Sequence, residues 1–205
     1  ELLSRARSFS VIIIGAGMGG ILASIRLQEA GIAHTVIEKN TGVGGTWHEN
    51  RYPGCRVDVP GHSYSYSFEP NYDWKHHYPI SEDIRTYYER CAKKYRVDEF
   101  VRLNTEVVKA VFDEEELLWR VHTVGKDGVE EILSSNALIS AVGQLNRPRF
   151  PDIDGLDDFQ GELVHSAMWP NDLECSGKRV AVIGSGASAF QIVPEMAKVA
   201  KHLTV

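Results

Sequence analysis

The sequence predicts an α/β fold on three observations. A β-branched strand, a glycine-rich loop and an apolar-striped helix follow one another over residues 9–30. The same order returns over residues 179–200. Between them, residues 107–133 alternate as antiparallel strands do. Strands that alternate with helices bury a sheet beneath helical layers, which is the α/β solution.

Each element has a local reason. Residues 9–14 form a β-branched run that enters the first loop, Gly15-Ala16-Gly17-Met18-Gly19-Gly20. Over residues 18–30, Ile21, Leu22, Ile25 and Leu27 recur at helical spacing. Gly31 stands where a helix end favours positive φ. Residues 34–37 resume strand character and end on Glu38. This βαβ unit is the context in which such a loop binds a dinucleotide. Gly15 permits the tight turn, Gly17 lets backbone approach a pyrophosphate, and Gly20 allows close helix–strand packing. The helix start offers free N–H groups, and the Glu38 carboxylate suits ribose hydroxyls. A merely flexible glycine turn leaves Glu38 unexplained.

Residues 41–78 are rich in Gly, Pro, His and aromatics and read as a long ordered excursion of functional use. Ser81 is expected to cap a helix running to about Tyr95, with Ile84, Tyr88, Cys91 and Tyr95 on one face. Three strands over 107–133 break at residues 113–116 and 125–128. Residues 137–142 read as a buried strand reaching Gly143. Pro, Gly and Asp mark 146–176 as a connection. Residues 179–183 open the second unit, whose loop is Gly184-Ser185-Gly186-Ala187-Ser188-Ala189 and whose helix runs to about Ala200. Ala189 replaces the third glycine, a position that demands close packing rather than positive φ. Leu203-Thr204-Val205 reads as the next strand. The division is therefore 1–145 as one domain, 146–177 as a linker, and 178–205 as the start of another.

Composition narrows the function classes. The 205 residues suit one large domain or one domain with part of another, and 43% hydrophobic content is enough for a real core. A net charge of −6 argues against nonspecific nucleic-acid binding. The longest apolar stretches are strand-sized, too short for a membrane span. Glu1-Leu2-Leu3-Ser4-Arg5 lacks a signal-peptide core. Cys55, Cys91 and Cys175 are odd in number and include no CxxC, which reads as reduced thiols in a cytoplasmic protein. His76-His77 reads as a solvated loop pair, and no metal site is expected.

Two dinucleotide sites in one chain imply that two cofactors meet, usually for hydride transfer from a nicotinamide to a flavin. Gly42-Val43-Gly44-Gly45-Thr46-Trp47 brings a second flexible backbone segment beside the first site. This arrangement resembles the two-dinucleotide-binding flavoproteins: a Rossmann-like FAD domain with an antiparallel β-meander insertion, plus a second Rossmann-like domain for NADPH. Ser140-Ala141-Val142-Gly143-Gln144 resembles their ATG-type motif. The block Gly44-Gly45-Thr46-Trp47-His48-Glu49-Asn50-Arg51-Tyr52-Pro53-Gly54-Cys55-Arg56-Val57-Asp58 narrows the resemblance to the Baeyer–Villiger monooxygenases, as does Tyr64-Ser65-Tyr66-Ser67-Phe68. Phe159-Gln160-Gly161-Glu162-Leu163-Val164-His165 followed by Trp169-Pro170 fits their FxGxxxH fingerprint. N- and S-oxidising relatives usually carry Tyr where this chain has Trp169. The run from Glu49-Asn50 to Pro70-Asn71 is similar to the 4-hydroxyacetophenone monooxygenase-like branch.

The resemblance implies roles. Gly15, Gly17, Gly20 and Glu38 would hold the FAD diphosphate and ribose. Thr46, Trp47 and Tyr64 would line its inner half, and Lys39, Gly45, Val107, Gly143 and Gln144 would complete the site. Asp58 would face the flavin–nicotinamide junction and fix an essential arginine, as a carboxylate does bidentately. His165 would couple NADPH binding to domain closure. Gly184, Ser185, Gly186 and Ser188 would cradle the NADPH pyrophosphate, with Gln191 reaching the same site. Plainer readings stand beside these: Asp58 as a turn residue, His165 as a packing histidine, and Trp169 as an apolar cover. Arg51 and Arg56 are expected to be structural ion-pair partners.

The implied activity is oxidation of a ketone to an ester or lactone, with NADPH, O₂ and a flavin 4a-peroxide. The family's catalytic arginine, 2′-phosphate contacts and most of its ketone pocket would lie beyond Val205, so the chain is expected to be the N-terminal part of a longer enzyme. Two alternatives are a flavin-containing monooxygenase acting on nitrogen or sulfur, and a noncatalytic FAD-binding fragment. Disulfide reductases of this fold are disfavoured by the lack of a redox cysteine pair.

Overall fold

A computed structural model of the chain describes residues 9–205. The reading of Glu1 to Arg5 lies outside them, as do the first eight positions of the 1–145 division. Two compact units are present. One gathers the chain up to Thr46 with Thr86–Asn146, and the other gathers Trp47–Arg85 with Arg147–Val205. Residues 47–85 thus group with the C-terminal part of the chain rather than with the rest of 1–145.

In the first unit, β1 (Ser10–Ile14) leads through the first loop into α1 (Met18–Glu29), then β2 (Ala33–Ile37). The end of α1 is as its glycine requires. Gly31 has φ +66°, its N–H reaches Gln28 O at 3.0 Å, and the Ile32 N–H reaches Leu27 O at 2.9 Å. Those two bonds are the Schellman closure. A two-residue strand, β3 (Val101–Arg102), pairs parallel with β2 and has no counterpart in the sequence reading. The meander is β4 (Thr105–Asp113), β5 (Leu118–Gly125) and β6 (Glu130–Ser135), antiparallel throughout with a bulge between Val107 and Lys109. β7 (Ala137–Ser140) then joins β1, giving a parallel sheet in the order β3-β2-β1-β7.

Ile12, Ile37 and Val121 are buried together where meander and sheet meet, with Val107, Trp119, Leu133 and Leu138 packed on them. Each such aliphatic side chain contributes about 1.5–3 kcal/mol. The expected burial of 137–142 is corrected: β7 ends at Ser140, its residues are half-buried or exposed, and Val142 is 50% exposed. The apolar run is an outer strand of the sheet, flanked on one side only.

The second unit opens with α2 (Thr46–Glu49), a single turn, and a 3₁₀ turn at Gly61–Ser63. Then comes α3 (Ser81–Lys94), which belongs to this unit up to Arg85 and to the first from Thr86; on it Ile84, Tyr88 and Cys91 are buried as expected, and Tyr87 also. Ser81 does not cap it. The Ile84 N–H bonds Ile80 O at 3.2 Å, so Ile80 holds the cap position. The Ser81 hydroxyl instead donates to Trp47 O (3.3 Å) and Asn50 O (3.1 Å). Residues 147–178 carry 3₁₀ turns at Leu156–Asp158 and Ser166–Met168. β8 (Arg179–Ala181), α4 (Ala187–Val199) and β9 (His202–Thr204) form the second βαβ unit, with β8 and β9 parallel. Among the described residues no helix is long and apolar enough to cross a membrane, and no group of three or more His, Cys, Asp or Glu is placed to hold a metal.

Candidate functional site

In the first unit the glycine loop closes against β2, where the Gly15 N–H bonds Ile37 O at 2.8 Å. A Cβ at Gly20 would lie 1.8 Å from Gly15 O, so strand and helix approach closer there than any side chain allows. Gly17 meets a second loop: a Cβ at Gly45 would lie 2.8 Å from Gly17 Cα, and Gly45 has φ +54°. The Gly44 N–H bonds Ala16 O at 3.0 Å, lacing the two loops. No side chain caps α1 at Gly17, and Met18 and Gly19 are exposed. Open N–H groups at a helix start beside a wall of bare backbone fit a pyrophosphate.

Glu38 is 4% exposed, and both its oxygens are engaged. Oε2 accepts the Ala16 N–H at 2.7 Å, while Oε1 accepts the Asn40 N–H at 2.9 Å and Asn40 Nδ2 at 2.8 Å. The carboxylate therefore sets the loop, and its remaining acceptor capacity is what a ribose would use. The Lys39 ammonium donates to Asn146 Oδ1 at 2.9 Å. Val107 sits at the meander bulge, and Gly143 and Gln144 are exposed beyond β7.

In the second unit, Trp47 Nε1 donates to the Tyr64 hydroxyl at 3.2 Å, with the rings edge to face at 5.6 Å. Burial pushes the Tyr64 phenol up. Asp58 is exposed, and among the described residues its carboxylate makes no hydrogen bond or ion pair. Its charge helps raise both Tyr52 and Tyr64. Among the described residues Arg51 and Arg56 form no ion pair, contrary to the sequence reading. Arg51 donates to His48 O and Asn171 Oδ1, and Arg56 Nε donates to Gly54 O.

Tyr52 is a site residue that sequence reasoning passed over. Its hydroxyl donates to Gln191 Oε1 at 3.0 Å. Burial pushes this phenol up to about 12, against the influence of nearby Ser188 and with help from Cys55 and Asp58. Gln191 also holds the Arg56 backbone from both sides: Oε1 accepts the Arg56 N–H at 3.2 Å and Nε2 donates to Arg56 O at 3.0 Å. Gln191, expected at the nucleotide site, thus spends its side-chain amide on 52–56. The one available signal was the Pro53-Gly54 turn within the quoted block, because a Cβ at Gly54 would lie 2.5 Å from Gln191 O.

The fingerprint segment belongs to the same unit. The Phe159 ring lies over Gly161, 2.4 Å from where a Cβ would stand. His165 Nδ1 accepts the Ala167 N–H at 3.1 Å and so caps the following turn, which places the ring proton on Nε2. Phe150 packs edge-on against its ring at 5.5 Å. Trp169 packs on Tyr52, Cys55, Ile192 and Met196, the cluster that covers α4. Gly184, Ser185 and Gly186 are exposed, and α4 starts without a side-chain cap.

A pyridine nucleotide-disulphide oxidoreductase family model matches residues 12–205. A Baeyer-Villiger monooxygenase of Pseudomonas aeruginosa is 46% identical over 194 residues, covering 94% of this chain and 36% of that protein. One of Streptomyces coelicolor is 43% identical over 196 residues, covering 95% and 37%. Among solved structures, OTEMO in complex with FAD and NADP superposes with a TM-score of 0.87 at 37% identity, covering 96% of this chain and 38% of that one. Oxidized steroid monooxygenase bound to NADP gives 0.84 at 40% identity, covering 95% and 38%. The chain spans about a third of the length of these relatives.

Proposed function

The chain belongs to the pyridine nucleotide-disulphide oxidoreductase family and is a relative of its Baeyer–Villiger monooxygenases, and from that premise we propose that it forms part of an FAD- and NADPH-dependent monooxygenase converting ketones to esters or lactones with O₂. The observation that carries this reading is the packing of the fingerprint's Trp169 on the apolar cluster that includes Ile192 and Met196 of the helix that the second glycine loop opens. A fingerprint bound into that helix is suited to sense a nicotinamide nucleotide.

FAD, when bound, supplies the hydride-accepting and oxygen-activating chemistry. The protein's residues bind and orient. The lacing of Gly17 and Gly44–Gly45 and the uncapped start of α1 suit the FAD diphosphate, and Glu38 suits its ribose. Thr46, Trp47, Tyr64, Lys39, Val107, Gly143 and Gln144 are assigned to FAD contact on the strength of the family relationship. Gly184, Ser185, Gly186 and Ser188 suit the NADPH pyrophosphate. An exposed, unpaired Asp58 is free to hold a guanidinium supplied from elsewhere in the protein. His165, holding a turn rather than standing free, fits a positioning role better than that of a base. Disulfide chemistry is disfavoured because all three cysteines are free, two of them buried. Free thiols also support a cytoplasmic setting.

The test is an NADPH-oxidation screen of the full-length protein against aryl, cyclic and linear ketones, with product identification. Esters or lactones support the reading. Oxygenation of thioethers or amines with no ketone turnover replaces it with a flavin-containing monooxygenase. Bound FAD that NADPH does not bleach replaces it with a noncatalytic FAD-binding module.

A further inference from the structure

One network in the second unit joins two parts of the site that the sequence treats separately. Gln191 lies on α4, the helix that the second glycine loop opens. Tyr52 donates to Gln191 Oε1, and Gln191 grips the Arg56 backbone through both its N–H and its C=O. Arg56 stands two residues before Asp58. The contact is tight along its length, because the Gly54 backbone lies against the Gln191 carbonyl, where a Cβ would sit 2.5 Å away. Tyr52 and Cys55 are buried beneath it with Ile192 and Met196.

We infer that Tyr52 and Gln191 are positioning residues that fix the Asp58 segment to the helix that the second nucleotide loop opens, so that the state of that loop is transmitted to Asp58. The inference rests on the assignment of the loop to NADPH. The phenol stays protonated through the working pH range, since burial pushes it up to about 12, and so remains a donor to Gln191. The amide of Gln191 makes a two-point contact with the main chain of one residue, Arg56, which fixes direction as well as distance. A shift of α4 on nucleotide binding therefore moves residues 54–58 with it.

The experiment uses the full-length, FAD-loaded protein and follows amide hydrogen exchange of the peptide spanning 52–58 with and without NADP⁺, alongside NADP⁺ affinity. In the wild type, NADP⁺ is expected to slow exchange there several-fold. In Gln191→Leu the response is expected to vanish while NADP⁺ still binds within about threefold of the wild-type affinity. Tyr52→Phe, which keeps the Arg56 contacts, is expected to retain a weakened response, and it serves alone if Gln191→Leu does not retain FAD. An undiminished response in a variant that binds NADP⁺ overturns the inference and leaves the functional proposal intact. A wild type that binds no NADP⁺ overturns both.

Discussion

Gly17 and Gly45 touch through main chain alone, with a Cβ at Gly45 falling 2.8 Å from Gly17 Cα. Twenty-eight positions apart, they turn two loops into one surface laced by the Gly44–Ala16 bond. Gly45→Ala must push the loops apart and hold an L side chain at φ +54°. The expected cost is about 1–3 kcal/mol, read as a lower urea midpoint, with weakened FAD retention on a desalting column.

Glu38→Gln replaces a buried acceptor that serves three donors with an amide that has one acceptor oxygen. The Ala16 N–H or the Asn40 pair then faces an N–H₂ group. A loss of about 1–3 kcal/mol follows, seen in denaturant titration of the apoprotein, with FAD affinity falling roughly tenfold or more.

Tyr52 carries a pH signature. Its phenol lies at about 12 in the folded chain against the ordinary 10.0 of an unfolded one, chiefly through burial. Folding thus favours the neutral form. The stabilisation is fully present below pH 10 and is lost as pH rises toward about 12. The wild-type urea midpoint is expected to fall across that window and to fall less in Tyr52→Phe. Equal slopes for the two would contradict the assignment.

His165→Ala removes the acceptor for the Ala167 N–H and is expected to cost about 1 kcal/mol. His165→Asn, whose side-chain oxygen caps a turn well, should restore most of it. Limited proteolysis within 159–170 gives the parallel readout: faster cleavage in the alanine variant, near wild type in the asparagine variant.

What the sequence disclosed was local. The run Ile21, Leu22, Ile25, Leu27 and the stop at Gly31 made α1 legible, since periodicity and a positive φ are written in neighbouring residues. The meander was legible through its charged and glycine turns. β3 was not, because two residues carry no period and Val101–Arg102 becomes a strand only by pairing with β2. Ser81 read as a cap because serines usually are, yet carbonyls more than thirty positions away take its hydroxyl. Gln191 read as a nucleotide contact because it follows the loop. Its partners within the chain lie 135 and 139 positions earlier, a separation that no local pattern encodes.

The Glu38 clasp also bears on the order of assembly. The carboxylate ties Ala16 of the loop to Asn40 beyond β2, so part of the loop's shape is set by the chain itself. Apoprotein is therefore expected to take up FAD after folding, which a fluorescence titration checks.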